Sequence, residues 1–324
     1  MDPRLREDDE LFQYGLTSFV WLVLYKQWVE MQMKISVVIP VYNGESTLTD
    51  CLRALKMQSM PAELFEVIVV NDGSTDKSSD IASTFNVRII ETKNNGAPAG
   101  RNKGILAAKG KWVAFTDCDC IPSRMWLTRL LASVESNKTE PIGAAGKTLG
   151  FNSKSNAARF VDLVGGLDAE KYLQHPLFPF APSCNLMYRR DILNEVGGFD
   201  ERYASYDACD LHTRILRQYS GQFSYVEHAV VLHKHRGSWK DFWHQQRNYG
   251  RGLAQFMLNY KETVNWPIKK EFNAWLNISA QGFSACSPGS DDNAIVRRGE
   301  FVKAISQRLG FVSTYWNPIE RHRW

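Results

Sequence analysis

The sequence predicts an α/β protein built on a mostly parallel sheet with helices on both faces. One observation is that four short β-branched runs alternate with segments of helical periodicity between residues 34 and 124. Such alternation is typical of a parallel sheet whose crossover helices cover it. The other is composition, because 44% hydrophobic and 23% charged residues in a chain of 324 are ordinary globular values. They exclude wholesale disorder, a collagen-like repeat and a coiled coil.

The predicted elements follow from periodicity and from turn residues. Buried strands are expected at residues 34–40, 65–71, 87–91 and 111–116, and helices at residues 46–58, through Ile81 and Phe85, and at residues 99–109. Farther along, strands are expected at residues 180–189 and 222–234 and helices at residues 190–196 and 209–219. The chain after Ser238 is predicted to be helical and rich in aromatic residues, with a loop at residues 282–299.

The N-terminal segment, residues 1–33, is predicted to be an amphipathic helical segment. Its apolar stretch, residues 15–25, is too short to cross a membrane and ends at Lys26. The acidic residues 7–10 before it are the wrong charge for a signal peptide. Aromatic residues recur at helical spacing across residues 15–31, so this helix is expected to pack on the main domain or to contact a membrane surface or a dimer partner.

Charge and cysteine content narrow the function classes further. The formal net charge of +4 is too small and too scattered for a dedicated nucleic-acid binder, and it suits an anionic small molecule or membrane surface. The six cysteines form no CxxC pair, so neither a zinc site nor a disulfide framework is indicated. We therefore expect reduced thiols in a cytosolic protein.

Three polar clusters follow three of the predicted strands. They are Tyr42-Asn43, residues 71–74 (Asn-Asp-Gly-Ser) and residues 117–119 (Asp-Cys-Asp). Ligands of open α/β sheets bind outside the carboxyl ends of the strands, so we expect the clusters to converge on one crevice. The first strand is followed by neither GxGxxG nor GxxxxGK[ST], which argues against a dinucleotide or P-loop site.

The residue types in these clusters indicate a metal and an anionic ligand. Asp117 and Asp119 can hold Mg²⁺ or Mn²⁺, with His233 at a later strand end as a third ligand. Asp72 can accept the N–H of a pyrimidine; the alternative is a solvated Asp72 beside a helix cap formed by Ser74. Arg101 either reaches a diphosphate at a helix start or is a surface residue of that helix.

Asp207 and Asp210 lie at the predicted start of the helix at residues 209–219. Capping by one of them is expected, because aspartate is a preferred N-cap residue. The sharper hypothesis makes one of them a general base for an acceptor hydroxyl.

Four segments together resemble a family 2 glycosyltransferase with the GT-A fold. They are residues 35–43 (ISVVIPVYN), 67–75 (VIVVNDGST), 96–102 (GAPAGRN) and 116–119 (TDCD). The match continues through Asn185, residues 197–201, Asp210-Leu211 with Arg214, and His233, so that it covers roughly residues 34–255. The first thirty and the last seventy residues show no such resemblance.

The resemblance implies transfer of a sugar from a nucleotide-diphosphate donor, expected to be a UDP-sugar, to a hydroxyl of a glycan or lipid-linked acceptor. Inversion at the anomeric carbon and a requirement for Mg²⁺ or Mn²⁺ are implied as well. Residues 34–124 would then bind the donor, residues 125–236 the acceptor, and residues 237–324 would form the helical, aromatic-rich C-terminal segment. We expect such an enzyme in the cytoplasm, at the inner face of the membrane, with no nucleic-acid partner.

The resemblance also assigns residues to roles. The nucleobase site would comprise Pro40, Val41, Tyr42, Asn43, Asp72 and Gly73. Arg101 would lie at the donor diphosphate, Asp117 would contact the ribose or the metal, and Asp119 and His233 would be metal ligands. Arg247 and Arg251, in the segment after His233, would lie over the donor or the acceptor.

The sequence departs from the family pattern at the acidic pair that contains the catalytic base. Either Asp207-Ala208 or, with the register moved by one residue, Tyr206-Asp207 stands where the family usually has Glu-Asp. In both alignments Asp207 is the carboxylate left to act as the base. The alternative function is a catalytically degenerate nucleotide-sugar-binding protein that acts as a regulator or scaffold. A sugar-nucleotide pyrophosphorylase would need a Gly-rich basic loop after the first strand, which residues 41–44 lack.

Overall fold

The computed structural model describes residues 33–136, 140–151, 153–264 and 268–316 of the 324-residue chain. The predicted amphipathic helix at residues 15–31 lies outside the described residues. Within the described part of the chain, no helix is both long enough and apolar enough to cross a membrane.

The described strands form one mixed sheet of eight. They are β1 (Ile35–Val41), β2 (Phe65–Asn71), β3 (Arg88–Glu91), β4 (Trp112–Phe115), β5 (Cys120–Pro122), β6 (Pro141–Gly150), β7 (Leu186–Arg189) and β8 (Gln222–His233). Their order across the sheet is β3-β2-β1-β4-β7-β6-β8-β5. The pairs β3-β2, β2-β1, β1-β4 and β6-β8 are parallel, whereas β7 runs antiparallel to β4 and β6, and β5 antiparallel to β8.

Helices cover both faces of this sheet and form its C-terminal extension. They are α1 (Leu48–Lys56), α2 (Ser78–Ser83), α3 (Ala97–Ala107), α4 (Trp126–Glu135), α5 (Asn156–Leu163), α6 (Ala169–Leu173), α7 (Arg190–Glu195), α8 (Asp207–Gln218), α9 (Trp239–Asn259), α10 (Ile268–Ala285) and α11 (Asp292–Tyr315).

Strand β1 shows how the sequence builds the two layers. Its alternate side chains point to opposite faces, and all seven are buried. Ile35, Val37 and Ile39 join one apolar cluster with residues of α1 and α4. Val38 joins a second cluster with Ile105 of α3 and residues of α8. The predicted α/β architecture with helices on both faces is therefore confirmed.

Several predicted boundaries differ from the structure. The strand expected at residues 180–189 begins at Leu186, because a 3₁₀ turn at Ser183–Asn185 follows Pro182. The loop expected at residues 282–299 is wrong at both ends, since α10 continues to Ala285 and α11 begins at Asp292. The side chain of Asp291 caps α11 by accepting a hydrogen bond from the Ala294 amide.

Candidate active site

The three polar clusters at the strand ends lie together. The Asn43 amide donates to Ser74 Oγ over 2.9 Å, and the Thr75 amide donates to Asn43 Oδ1 over 2.8 Å. Asn43 itself holds a positive φ of 52°, a conformation that asparagine tolerates better than most residues. The third cluster lies against the residue that follows Asn43, since a Cβ at Gly44 would be 3.1 Å from Cys118 Sγ.

A group of potential metal ligands lies at the junction of β5 and β8. Ligand atoms of Asp117, Asp119, Cys120 and His233 are all within 4.8 Å of one another, and His233 Nε2 is 3.5 Å from Asp119 Oδ1. Pairing of Cys120 opposite His233 and a 2.9 Å hydrogen bond from the Lys234 amide to the Asp119 carbonyl hold the group together.

The chemistry of these ligands suits a hard divalent cation. Carboxylate oxygens with one imidazole nitrogen are acceptable donors for Mg²⁺ or Mn²⁺. A thiolate is a soft ligand that suits Zn²⁺ or Cu⁺ better than a hard cation, so Cys120 is the least suitable of the four. The donor set that fits a cation is therefore Asp117, Asp119 and His233.

Arg101 links this group to the predicted catalytic base. Its Nη2 donates to Asp117 Oδ1 over 2.9 Å and its Nη1 to Asp207 Oδ2 over 3.0 Å. Burial lowers the pKa of the guanidinium, but Asp117 and Asp207 outweigh that effect and raise it. Only 5% of Arg101 is exposed, so the alternative that made it a surface residue of its helix is wrong.

Asp207 begins α8, and its carboxylate is buried beside Arg101. Tyr206, at the N-cap position in the left-handed region with φ of 68°, turns the chain into the helix. Burial raises the pKa of Asp207, Arg101 lowers it and Asp117 raises it, and the net shift is upward. A carboxylate whose pKa is raised takes a proton more readily than an ordinary aspartate.

Asp210 has a structural role in the same helix. Its Oδ2 accepts from Arg214 Nε over 2.7 Å, and its Oδ1 accepts from the Tyr260 hydroxyl over 2.9 Å. The expected capping by one of the two aspartates is wrong, because Tyr206 holds the N-cap position. Of the two, Asp207 is the one bonded to Arg101.

Asp72 is buried, and its carboxylate accepts hydrogen bonds from the segment that follows β3. Its carboxylate accepts from Thr92 Oγ1 over 2.7 Å, from the Gly96 amide over 2.7 Å and from the Asn95 amide over 3.1 Å. The alternative in which Asp72 is solvated is therefore wrong. So is the cap by Ser74, because α2 begins at Ser78.

The other residues predicted for the nucleobase site differ in solvent exposure. Pro40 and Val41 are buried in β1, and the Val41 carbonyl accepts from the Asp72 amide over 2.8 Å. Tyr42 is 50% exposed. Gly73 has φ of 76°, and a Cβ there would lie 3.1 Å from the Asn94 amide nitrogen, so glycine is required at this turn.

A cleft of about 580 Å³ opens beside Asp119. Its lining includes Thr47, Lys234, Arg236, and, from α9, Asp241 and Tyr249. Arg247 and Arg251 are not among the residues that line it. Their part of α9 packs closely on α11, where a Cβ at Gly310 would lie 2.0 Å from the Arg247 carbonyl oxygen.

His235 and Asp162 were not singled out as a pair by the sequence. His235 Nδ1 is 3.2 Å from His233 Nδ1, and His235 Nε2 is 3.1 Å from Asp162 Oδ1. Burial and the neighbouring His233 lower the pKa of His235 to about 4, against the opposing effect of Asp162. His235 is therefore neutral near pH 7.

Comparison with known sequences gives consistent matches. Residues 36–197 match the family model described as Glycosyl transferase family 2. Glycosyltransferase AglE of Haloferax volcanii is 30% identical over 177 residues, which cover 53% of this chain and 57% of that protein. The poly(ribitol-phosphate) beta-glucosyltransferase of Bacillus spizizenii is 41% identical over 129 residues, covering 38% and 20%. The chain thus spans 57% or less of the length of these two relatives.

Solved structures share the fold at low identity. A mannosyltransferase from Pyrobaculum calidifontis, in complex with GDP-Man and Mn²⁺, matches with a TM-score of 0.61 and 17% identity over 89% of this chain and 88% of that one. S. aureus TarS 1-349 in complex with UDP matches with a TM-score of 0.52 and 19% identity over 87% and 91%. These likenesses establish the type of fold.

Proposed function

Because the chain belongs to glycosyl transferase family 2, whose model matches half of it, we propose that it transfers a sugar from a nucleotide-diphosphate donor to a hydroxyl acceptor. The observation that carries this proposal is the buried bridge from Asp117 through Arg101 to Asp207. The bridge fixes a carboxylate suited to act as a base next to the group of metal ligands. A sugar transferase needs the base and the metal site close enough together for both to act on the same sugar.

Asp207 acts as the base in this proposal. Its Oδ2 is held by Arg101, and the acceptor hydroxyl gives its proton to the other oxygen, Oδ1. The acceptor oxygen then forms its bond to the anomeric carbon while the bond from that carbon to the diphosphate breaks. The bonding electrons leave with the nucleoside diphosphate, and attack from the opposite side inverts the anomeric centre.

Asp117, Asp119 and His233 would hold Mg²⁺ or Mn²⁺ at the diphosphate. When bound there, the cation supplies Lewis-acid stabilisation of the negative charge on the leaving group. Arg236, which is exposed on the wall of the cleft, adds positive charge beside it. Cationic groups at a departing diphosphate favour the transition state because its charge grows as the bond breaks.

The nucleobase would lie at the ends of β1 and β2. Tyr42 offers an exposed ring, and Pro40, Val41, Asn43 and Gly73 shape the backbone around it. Asp72 contributes by holding the Asn95 and Gly96 amides in place. A UDP-sugar is the proposed donor, with residues 34–124 as the donor-binding half.

Residues 125–236 would supply the acceptor-binding half, with a glycan or lipid-linked glycan as the acceptor. Asp241 and Tyr249 of α9 line the cleft together with Asp119 and would add to the acceptor contacts. Arg247 and Arg251 follow on the same helix, and their contact with the donor or the acceptor stays a prediction.

A second candidate function is nucleotide-sugar binding without transfer, in a regulator or scaffold. Ala208 in place of the second acid favours it. The two candidates differ in whether a bound donor is ever consumed.

The experiment is a screen of nucleotide sugars with Mg²⁺ or Mn²⁺, read by thermal shift and by release of nucleoside diphosphate. A bound donor raises the unfolding temperature because it stabilises the folded state by RT ln(1 + [L]/Kd). The proposal expects one donor to raise that temperature in the presence of metal and to be hydrolysed or transferred. Binding without turnover would favour the scaffold, and the absence of binding by every nucleotide sugar would contradict both.

A further inference from the structure

Two side chains that the mechanism does not use are connected to the proposed metal ligand His233. His235 Nδ1 lies 3.2 Å from His233 Nδ1, and its other ring nitrogen, Nε2, lies 3.1 Å from Asp162 Oδ1. On the far side of the His233 ring, Nε2 faces Asp119 Oδ1 at 3.5 Å. The four side chains therefore form one line from α5 to the metal ligands.

The Asp162 carboxylate at one end of this line determines which nitrogen of each histidine carries a hydrogen. An ionised carboxylate only accepts hydrogen bonds, so His235 Nε2 carries the hydrogen that Asp162 receives. In a neutral imidazole the other nitrogen is then bare, so His235 Nδ1 accepts and His233 Nδ1 must donate. A neutral His233 with its hydrogen on Nδ1 presents a bare Nε2 toward Asp119.

We propose that His235 and Asp162 are positioning residues, which fix the ring of His233 and its tautomer so that the lone pair of Nε2 faces the cation. This inference rests on the proposed metal site and extends it by two residues. Partners of this kind are worth about 10–100-fold in metal affinity when they orient a ligating histidine.

The backbone around Asp162 is shaped to admit its carboxylate. Gly150 stands opposite His233 in the pairing of β6 with β8. A Cβ at Gly150 would lie 1.6 Å from Asp162 Oδ1, so any side chain there would displace the carboxylate. The Phe151 amide also donates to the His233 carbonyl over 2.9 Å, which fixes the end of β8 just before His235.

Both histidines are buried, which distinguishes this arrangement from a chance contact at the surface. The side chains of His233 and His235 are 8% and 6% exposed. Asp162 is 34% exposed, so water reaches its carboxylate, but water is a poor substitute for the hydrogen bond between the two buried rings.

The test measures Mn²⁺ affinity by electron paramagnetic resonance and the tautomer of His233 by ¹⁵N–¹H NMR of the metal-free protein. His235→Phe keeps a ring but removes both nitrogens, and Asp162→Leu keeps the branched shape but removes the acceptor. The matched controls are His228→Phe, on the same strand with an exposed side chain, and Asp80→Leu, exposed on α2. Asp119→Ala removes a proposed ligand outright, and thermal unfolding shows that each variant is folded.

The proposal expects an Nδ1–H tautomer at His233 in the wild-type protein, and loss of that preference in both test variants. It also expects Mn²⁺ affinity to fall about 10–100-fold in both, with no change in the controls. An Nε2–H tautomer in the wild-type protein, or unchanged affinity in both test variants, would overturn it. Failure of the wild-type protein to bind Mn²⁺ would overturn the proposed metal site, and the NMR result would still decide whether the hydrogen-bond line exists.

Discussion

Arg101 on α3 donates a 3.0 Å hydrogen bond to Asp207 on α8, although 106 positions separate the two residues in the chain. The same guanidinium also binds Asp117 at the end of β4. One buried cation therefore fixes the distance between the proposed base and the proposed metal site. The account of this protein as a transferase depends on that distance.

Removal of Arg101 should destabilise the fold strongly. Arg101→Met keeps an apolar stem but leaves Asp207 buried without its partner, and breaking a buried ion pair in this way costs about 3–5 kcal/mol. Urea unfolding measures the change. Arg189→Met is the control, because its pair with Asp191 lies at the surface and such pairs are worth about 0–1 kcal/mol. Similar losses of stability in the two variants would show that the buried bridge stabilises the fold no more than the surface ion pair does.

Removal of Asp119 should abolish the metal dependence of donor turnover. Asp119→Ala deletes a carboxylate of the proposed ligand set, and a bound cation is worth several kcal/mol of charge stabilisation. We expect Mn²⁺-dependent release of nucleoside diphosphate to fall at least about 100-fold, since each 1.4 kcal/mol is tenfold in rate. The exposed Asp80→Ala is the control. Unchanged turnover in Asp119→Ala would remove this residue from the metal site.

The stability of the fold should decrease in mild acid because of His212. This side chain is 1% exposed and hydrogen-bonded to the Tyr188 hydroxyl, and burial lowers its pKa to about 4. The unfolded chain, with a histidine pKa of about 6.5, binds the proton first. Stability is therefore full above about pH 6.5 and is lost as the pH falls toward 4, by on the order of 3 kcal/mol.

Urea unfolding between pH 4 and 7 measures this loss. In His212→Asn the acid limb should be shallower, because the titrating imidazole is gone. The exposed His228→Asn should leave the slope as it is in the wild-type protein. An identical slope in His212→Asn would show that other groups cause the acid sensitivity.

The first half of the fold could be predicted because β1, β4 and most of β2 are buried on both faces. Parallel strands of this kind are near-continuous apolar runs, and β2 has the predicted bounds, residues 65–71. Strand β6 shows why the second half of the fold was harder to predict from the sequence. Its sequence, PIGAAGKTLG, contains three glycines and a lysine, yet a Cβ at Gly146 would lie 1.9 Å from the Ala229 carbonyl oxygen. Packing against β8 selects these residues over those with high strand propensity.

The sequence predicted several residues of the site from motifs, but it did not predict which residues they contact. Residue type and strand ends were enough to single out Asp117, Asp119 and His233, which the structure brings within one ligand cluster. Asp162 carries no motif, and its approach to His235 depends on the pairing of β6 with β8. In the same way, the sequence associated Arg101 with a diphosphate, whereas its partner Asp207 lies 106 positions away in the chain.

The most direct test of the central claim compares donor binding with sugar transfer in Asp207→Asn. Asparagine has the same shape and still accepts a hydrogen bond from Arg101, but it cannot take a proton from the acceptor. Calorimetry with the donor found in the screen gives affinity, and product formation gives the transfer rate. The account predicts donor affinity close to wild type and a transfer rate lowered about 10²–10⁴-fold, the usual worth of a general base. Transfer at the wild-type rate, or loss of donor affinity in step with transfer, would contradict it.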